Sequence, residues 1–375
     1  MPSRFFGVGL FGQPAPLKAL IRSRIAEQGG AVPFADFMQW ALYEPEHGYY
    51  ERFSEKIGRR GDFYTSVSVG PLFGQLLAFR FSDWIEELQL DVAEPIQLVE
   101  AGAHDGTLAK DVLEWLDEHR PDIFARLHYV IVEPSAQRQV WQRKTLVDFL
   151  DKVTWSNDLP SIIKGIIFSN ELLDAFPVHR LCWGVDEHRW RELGVRCTEW
   201  GFEWCFLGND SSDRWEPPNL PEPLLDILPD RFVIETAPTR VEWWKKAANA
   251  LVQGWLMTFD YGLETPEFFQ PHRFHGTLRG YRQHRSSDDL LGSPGETDIT
   301  SHVDFTQIAL AGESCGLDTV VQTWQSRWLV DVFGRLLNNP AKFGVLNPAR
   351  VRQFQTLTHP EHMGRSFRVL VQRRR

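Results

Sequence analysis

The sequence predicts an α/β fold in which a parallel sheet is covered by helices, a helical region leads in, and a block of antiparallel strands is inserted. Three observations carry that expectation. The apolar runs IQLVE, HYVIVE, KVTW and GIIFSNE follow one another between Ile96 and Glu171, and patterns of helical period come after at least the first two. Ahead of them, apolar residues recur at helical spacing. Behind them, VHRLCWGVDEHRWRELGVRCTEWGFEWCFLG reads as two or three antiparallel strands with turns near Val185-Asp186 and Glu199-Gly201.

Taken in order, LKALIRSRIAEQGG sets Leu17, Leu20, Ile21 and Ile25 on one helical face, and Gly29-Gly30 stops it. VPFADFMQWALYEPEHGYY carries Phe37, Trp40 and Ala41 on a second helix that ends before Pro45. GRRGDFYTSVSVGPLFGQLLAFRFSDWIEEL holds a Gly-rich polar loop and then a long amphipathic helix. After the four strand runs and the antiparallel block, SSDRWEPPNLPEP is a proline-rich connector. RFVIET and GWLMTFDYG continue the parallel sheet, separated by the helical VEWWKKAANAL. HGTLRGYRQHRSSDDLLGSPGETDITSHVDF is loop-rich and long enough to be functional. Asp304 and Gln307 fit a capping box for the helix FTQIALAGES. The units expected are a helical region over 15–92, a core over 93–178 and 231–375 with a loop-rich insertion at 264–303, and inserted strands over 179–230.

Hydrophobic residues are 43% and charged residues 24% of 375, an ordinary globular composition. A net charge of −10 argues against a nucleic-acid partner and is compatible with a cationic substrate. Cys182, Cys197, Cys205 and Cys315 show no CxxC spacing, so neither zinc nor a disulfide framework is expected, and a reducing cytoplasm fits. His302 and Asp304 alone are too few to hold a metal. No run approaches the roughly 18 apolar residues of a membrane span, and the opening MPSRFFGVGLFGQPAP lacks the pattern of a secretory signal. Nothing in the sequence indicates an oligomeric state.

The turn in LVEAGAHDGTLAKDVLEW decides which ligand the sheet serves. Gly102 and Gly106 are four apart, so the spacing misses the dinucleotide pattern GxGxxG and fits ExGxxxG, with Glu100 closing the strand. Glu133 ends the next strand, where an acid can meet two ribose hydroxyls. Asn157 and Asp158, and Asn170 and Glu171, follow the third and fourth runs at the same sheet edge; for Asn157 and Asp158, capping a turn is the plainer reading.

Together, GYYERFSEKIGRRGDFYTSVSVGPLFGQLLA, LVEAGAHDGTL, NELLDAFPVHR, TFDYG, DITSHVDF and MGRSFRVLV resemble, in order, the MidA-like family of S-adenosylmethionine-dependent methyltransferases, which includes a mitochondrial complex I assembly factor that methylates a protein arginine. The resemblance runs from about Leu17 to Val371. It implies a Rossmann-like methyltransferase sheet, S-adenosyl-L-methionine as cofactor and a protein acceptor. It places Glu100, Gly102 and Gly106 in the cofactor loop, Glu133 on the ribose, Asn157 and Asp158 near the adenine, and Asn170, Glu171 and Asp174 beside the transferred methyl. Tyr64, Thr65 and Ser66 match the family's GDFxTS segment, a loop able to close over the cofactor. Ala103 and His104 replace the proline and middle glycine of the family's ExGPGxG; histidine enters left-handed conformations more readily than most residues.

Methyl transfer from a sulfonium depends on positioning, and a protonated guanidinium needs carboxylates to fix its plane. Glu171 and Asp174, three apart, would share a face of a helical turn. Tyr261 is either core or acceptor pocket. Two rivals stand beside the protein arginine methyltransferase: a small-molecule methyltransferase, and a catalytically silent cofactor-binding assembly factor.

Overall fold

Alternation within the apolar runs sorts their side chains onto two faces of one sheet. In Ile96–Ala101, Ile96 and Leu98 enter one core while Val99 and Ala101 enter the other. The computed structural model of the chain describes residues 16–52, 65–91, 94–208, 215, 220–282, 285–338, 342–344 and 346–375. The Gly-rich loop through Tyr64 and most of the proline-rich connector lie outside the described residues.

Seven strands of the main sheet are labelled here in chain order: β1 (Ile96–Ala101), β2 (Leu127–Val132), β3 (Val153–Ser156), β4 (Ile163–Asn170), β5 (Leu251–Leu263), β6 (Asp318–Trp324) and β7 (Phe367–Arg374). They lie in the order β6-β7-β5-β4-β1-β2-β3, and β7 runs antiparallel to both neighbours while the other pairs are parallel. The order reverses at β1, so the carboxyl ends of β1 and β4 flank the crevice where open α/β sheets bind ligands.

The longer helices are α1 (Pro16–Glu27), α2 (Phe34–Tyr43), α3 (Leu72–Leu88), α4 (Thr107–His119), α5 (Ala136–Thr145), α6 (Pro238–Ala250), α7 (Phe305–Ser314), α8 (Gln325–Asn338) and α9 (Pro348–Thr358). α3, α4 and α8 cover one face, and α6 and α7 the other. Trp84 of α3 stacks on Trp255 of β5, with centroids 5.3 Å apart. Phe73 meets Phe259 edge-on at 5.2 Å; burial of one such ring contributes roughly 1.5–3 kcal/mol. Asp304 caps α7 by accepting the Gln307 N–H at 3.1 Å, as its position predicts. No helix of the described residues is long and apolar enough to cross a membrane.

The antiparallel block is three strands, His179–Gly184, Arg189–Cys197 and Phe202–Phe206, with its turns where expected. Two more strands join it. Ala31–Pro33 pairs with Gly194–Arg196, which the helical spacing around it hides. Val233–Thr236, expected in the parallel sheet, pairs instead with His179–Gly184. A short apolar run carries no mark of its partner; here Phe232 and Ile234 settle into a core with Leu181, Trp183 and Trp190. The sheet therefore passes directly from β4 to β5.

Candidate active site

The loop after β1 is built on three left-handed residues. Gly102, His104 and Gly106 have φ of 74°, 47° and 87°. A Cβ on Gly102 would lie 2.8 Å from Leu172 Cδ1, so the loop packs tightly under the turn after β4. His104 takes the expected conformation with its side chain 40% exposed, and Nδ1 is 3.6 Å from the Asp105 carboxylate. Burial raises Asp105, but the adjacent His104 imidazole and the bond from the Thr107 N–H outweigh it and hold the carboxyl at about 2. Glu100 is buried and accepts the Tyr129 hydroxyl at 2.5 Å; burial, opposed by that bond, pushes it up to about 7.

The turn after β4 is equally constrained. Glu171 continues the ladder, donating its N–H to the Phe259 carbonyl at 2.9 Å, yet has φ of 51°. Its carboxylate accepts Asn170 Nδ2 at 3.0 Å and the Ser66 N–H. Burial first, then the nearby Asp174, pushes Glu171 up to about 8 despite these bonds. Asp260, at the end of β5, accepts the N–H groups of Leu172, Leu173 and Tyr261 at 3.2, 2.7 and 2.9 Å. Burial raises both Asp174 and the neighbouring Asp260, and the charge of Asp174 raises Asp260 further. Buried Arg240 stands behind them, donating to the His302 carbonyl and Ser301 Oγ at 3.2 and 2.8 Å.

A cavity of about 350 Å³ opens between these two turns. Glu100, Asp105, Glu171, Asp174 and Asp298 bring five carboxyl groups to it, and no Lys or Arg is among the described residues lining it. Walls of one sign and low dielectric favour a cation. Asn170 Oδ1 is buried with no partner among the described residues, an acceptor suited to a ligand N–H.

Of the residues singled out in the sequence, Glu100, Gly102, Thr65, Asn170, Glu171 and Asp174 converge on this cavity. Gly106 and Ser66 stand behind it, Gly106 at the start of α4 and Ser66 bonded through Oγ to Gln325 at 3.1 Å. Glu133 is not in the wall. Its carboxylate is fully buried against Arg138 at 3.1 Å, the Ser135 N–H at 2.9 Å and Gln142 Nε2 at 3.2 Å. Gln142 also donates to the His104 carbonyl at 3.0 Å, tying Glu133 to the loop. Asn157 and Asp158 lie outside it as well. Asn157 accepts from Gln139 at 3.3 Å, while Asp158 pairs with Lys246 and caps the turn through the Leu159 N–H at 2.8 Å. Tyr261 lines the cavity, its ring 4.1 Å from Phe367. Sequence reasoning missed Asp260, Asp298 and Tyr50, although all three lie in the segments TFDYG, DITSHVDF and GYYERF that carry the family resemblance.

Residues 76–323 match a family model described as an S-adenosyl-L-methionine-dependent methyltransferase. The chain is 28% identical to the Drosophila melanogaster protein named protein arginine methyltransferase NDUFAF7 homolog, mitochondrial, over 93% of this chain and 83% of that one. It is 24% identical to the Homo sapiens protein arginine methyltransferase NDUFAF7, mitochondrial, over 97% of this chain and 85% of that one. A crystal structure from Burkholderia thailandensis bound to S-adenosyl-homocysteine superposes with a TM-score of 0.80 at 28% identity, covering 97% of this chain and 95% of that chain. The sheet order, the loop after β1 and these likenesses agree: the chain belongs to the MidA-like family of S-adenosyl-L-methionine-dependent methyltransferases.

Proposed function

We propose that the chain methylates an arginine of a protein partner. The observation that carries the acceptor is the cavity wall, with five carboxyl groups and no Lys or Arg among its described residues. A guanidinium is permanently charged and offers five N–H donors in one plane, which such a wall can satisfy. The names of the Drosophila and human relatives support the same acceptor.

The wall also suits the cofactor, a sulfonium with a free amine. Glu100, Gly102 and Thr65 would hold it from the wall, Gly106 and Ser66 would support their loops from behind, and the unpartnered Asn170 oxygen is close by. When bound, S-adenosyl-L-methionine supplies an electrophilic methyl group. The chain's own residues do the rest. Glu171 accepts guanidinium N–H bonds and fixes the plane of the attacking nitrogen. An entering cation favours the carboxylate form, so Glu171 releases its proton to solvent as the acceptor binds. Its oxygen then stands ready to take the proton the guanidinium loses as the new N–C bond forms. Asp174 and Asp260 hold the turn beneath. The ribose role implied for Glu133 requires its carboxylate to trade the Arg138 contact for hydroxyls; its link through Gln142 serves the loop in either state.

We further propose the division into 15–92, a core of 93–178 and 231–375, and the inserted strands 179–230, amended to carry Val233–Thr236 into the insertion. A reducing compartment such as the cytoplasm suits the four free cysteines, although the relatives named above are mitochondrial. The test of the acceptor is mass spectrometry of cell extracts with and without the gene. Methylarginine on a protein, present only with the gene, is expected; a methylated small metabolite in its place supports the small-molecule rival and overturns the proposal.

A further inference from the structure

We infer that Asp298, set in place by Tyr50, is a second carboxylate that grips the cationic acceptor. This rests on the arginine reading above and gives the loop-rich insertion a role in choosing the substrate.

The lining of the cavity divides by element. Glu100, Gly102 and Asp105 come with the loop after β1, whereas Asp298 and Thr300 come from the insertion and Tyr50 from the helical lead-in. Asp298 is 6% exposed and accepts the Tyr50 hydroxyl at 2.7 Å. The Tyr50 ring is itself packed on Tyr49 and Tyr43, with centroids 5.3 and 5.4 Å away. Tyr43 in turn donates its hydroxyl to the Ala175 carbonyl at 2.9 Å, and Ser301 donates its N–H to the Asp174 carbonyl at 3.0 Å. The insertion and the lead-in are thus both fastened to the short helical turn Leu173–Ala175, and they deliver Asp298 to the same cavity as Glu171 and Asp174. Asp298 is near enough to help raise Glu171.

Gathering like charges costs free energy that a neutral acceptor would leave unrelieved. A guanidinium relieves it, because its fork of donors can meet carboxylates from more than one element. A hydroxyl or amide acceptor offers Asp298 no cationic donor.

The test uses the full chain saturated with S-adenosyl-homocysteine and two probes of one shape, N-acetylarginine amide and its uncharged counterpart N-acetylcitrulline amide, followed by calorimetry. Wild type should prefer the arginine probe. Asp298→Asn keeps the volume and an acceptor for Tyr50; it should weaken the arginine probe about ten- to hundredfold, the value of a hydrogen bond to a charged group. Binding of the citrulline probe and of S-adenosyl-homocysteine should stay within about twofold, which also reports that the fold is intact. Tyr50→Phe should act in the same direction and less strongly. Arginine binding unchanged in Asp298→Asn overturns the inference while leaving the arginine reading in place. If Asp298→Asn fails to fold, unchanged arginine binding in Tyr50→Phe overturns it instead. Equal binding of both probes by wild type is a different failure, that of the arginine reading itself, and removes this inference with it.

Discussion

Asp260 Oδ2 accepts the Leu173 N–H at 2.7 Å, and this bond, with a second from Leu172 at 3.2 Å, closes the turn that holds Glu171 at φ 51°. Both oxygens of a carboxyl group can accept N–H bonds, whereas an amide turns one of its two heads into a donor. Asp260→Asn should therefore leave a buried N–H unmet, at a cost of about 1–3 kcal/mol. Thermal melting should fall and turnover should drop sharply, with binding of S-adenosyl-homocysteine little changed. Normal turnover in Asp260→Asn would contradict the bracing of Glu171 by this turn.

Glu171 carries backbone strain where the chemistry is proposed. A left-handed conformation costs a residue with a Cβ about 1–2 kcal/mol, and glycine escapes that cost. Its side chain adds a pH-dependent cost. The folded-state value of about 8 lies above the ordinary 4.5, so the burden is absent below pH 4.5 and grows as pH rises from there to about 8. Glu171→Gly should then melt higher than wild type, by more at pH 8 than at pH 5, while losing methyl transfer. Calorimetric melting at the two pH values checks this; a variant less stable at pH 8 would refute it.

His104 has the same backbone conformation without a comparable set of bonds. His104→Gly should change stability by no more than about 1 kcal/mol, since relief of strain is offset by a freer unfolded chain. Cofactor affinity by calorimetry should be unchanged or tighter. A large loss would mean that the imidazole itself touches the cofactor.

Glu100, raised to about 7, should make the cofactor's place in the cavity sensitive to ligand charge near neutrality. As pH rises through this value the carboxyl ionises and attracts a cation more strongly. The affinity for cationic S-adenosyl-L-methionine should therefore rise relative to that for the neutral thioether product between pH 6 and about 8. A ratio that stays flat would remove Glu100 from contact with the ligand's charge.

Local pattern revealed what local physics decides. The strand–loop–helix at Gly102–Gly106 and the turn at Asn170-Glu171 were legible because glycines and polar residues sit where periodicity breaks. The cap at Asp304 and the left-handed His104 follow from their immediate neighbours. Pairing is non-local, and there the sequence was mute. RFVIET fits either sheet until Phe232 and Ile234 meet Trp183 and Trp190. The side chain of Glu133 sits at the end of its strand as read, but its partners Arg138 and Gln142 on α5 were not foreseen. Asp298 and Tyr50 stand 248 positions apart, and only the folded chain brings them within a hydrogen bond.

The central claim is that Glu171 serves methyl transfer to a protein arginine and contributes little to holding the cofactor. Glu171→Gln keeps the shape and deletes the charge, so the most direct measurement compares it with wild type in a cell extract supplied with methyl-labelled S-adenosyl-L-methionine. The account predicts a labelled protein band with wild type that releases methylarginine on acid hydrolysis, and no such band with Glu171→Gln, although both bind S-adenosyl-homocysteine alike. An active Glu171→Gln enzyme, or label confined to small metabolites, would contradict it.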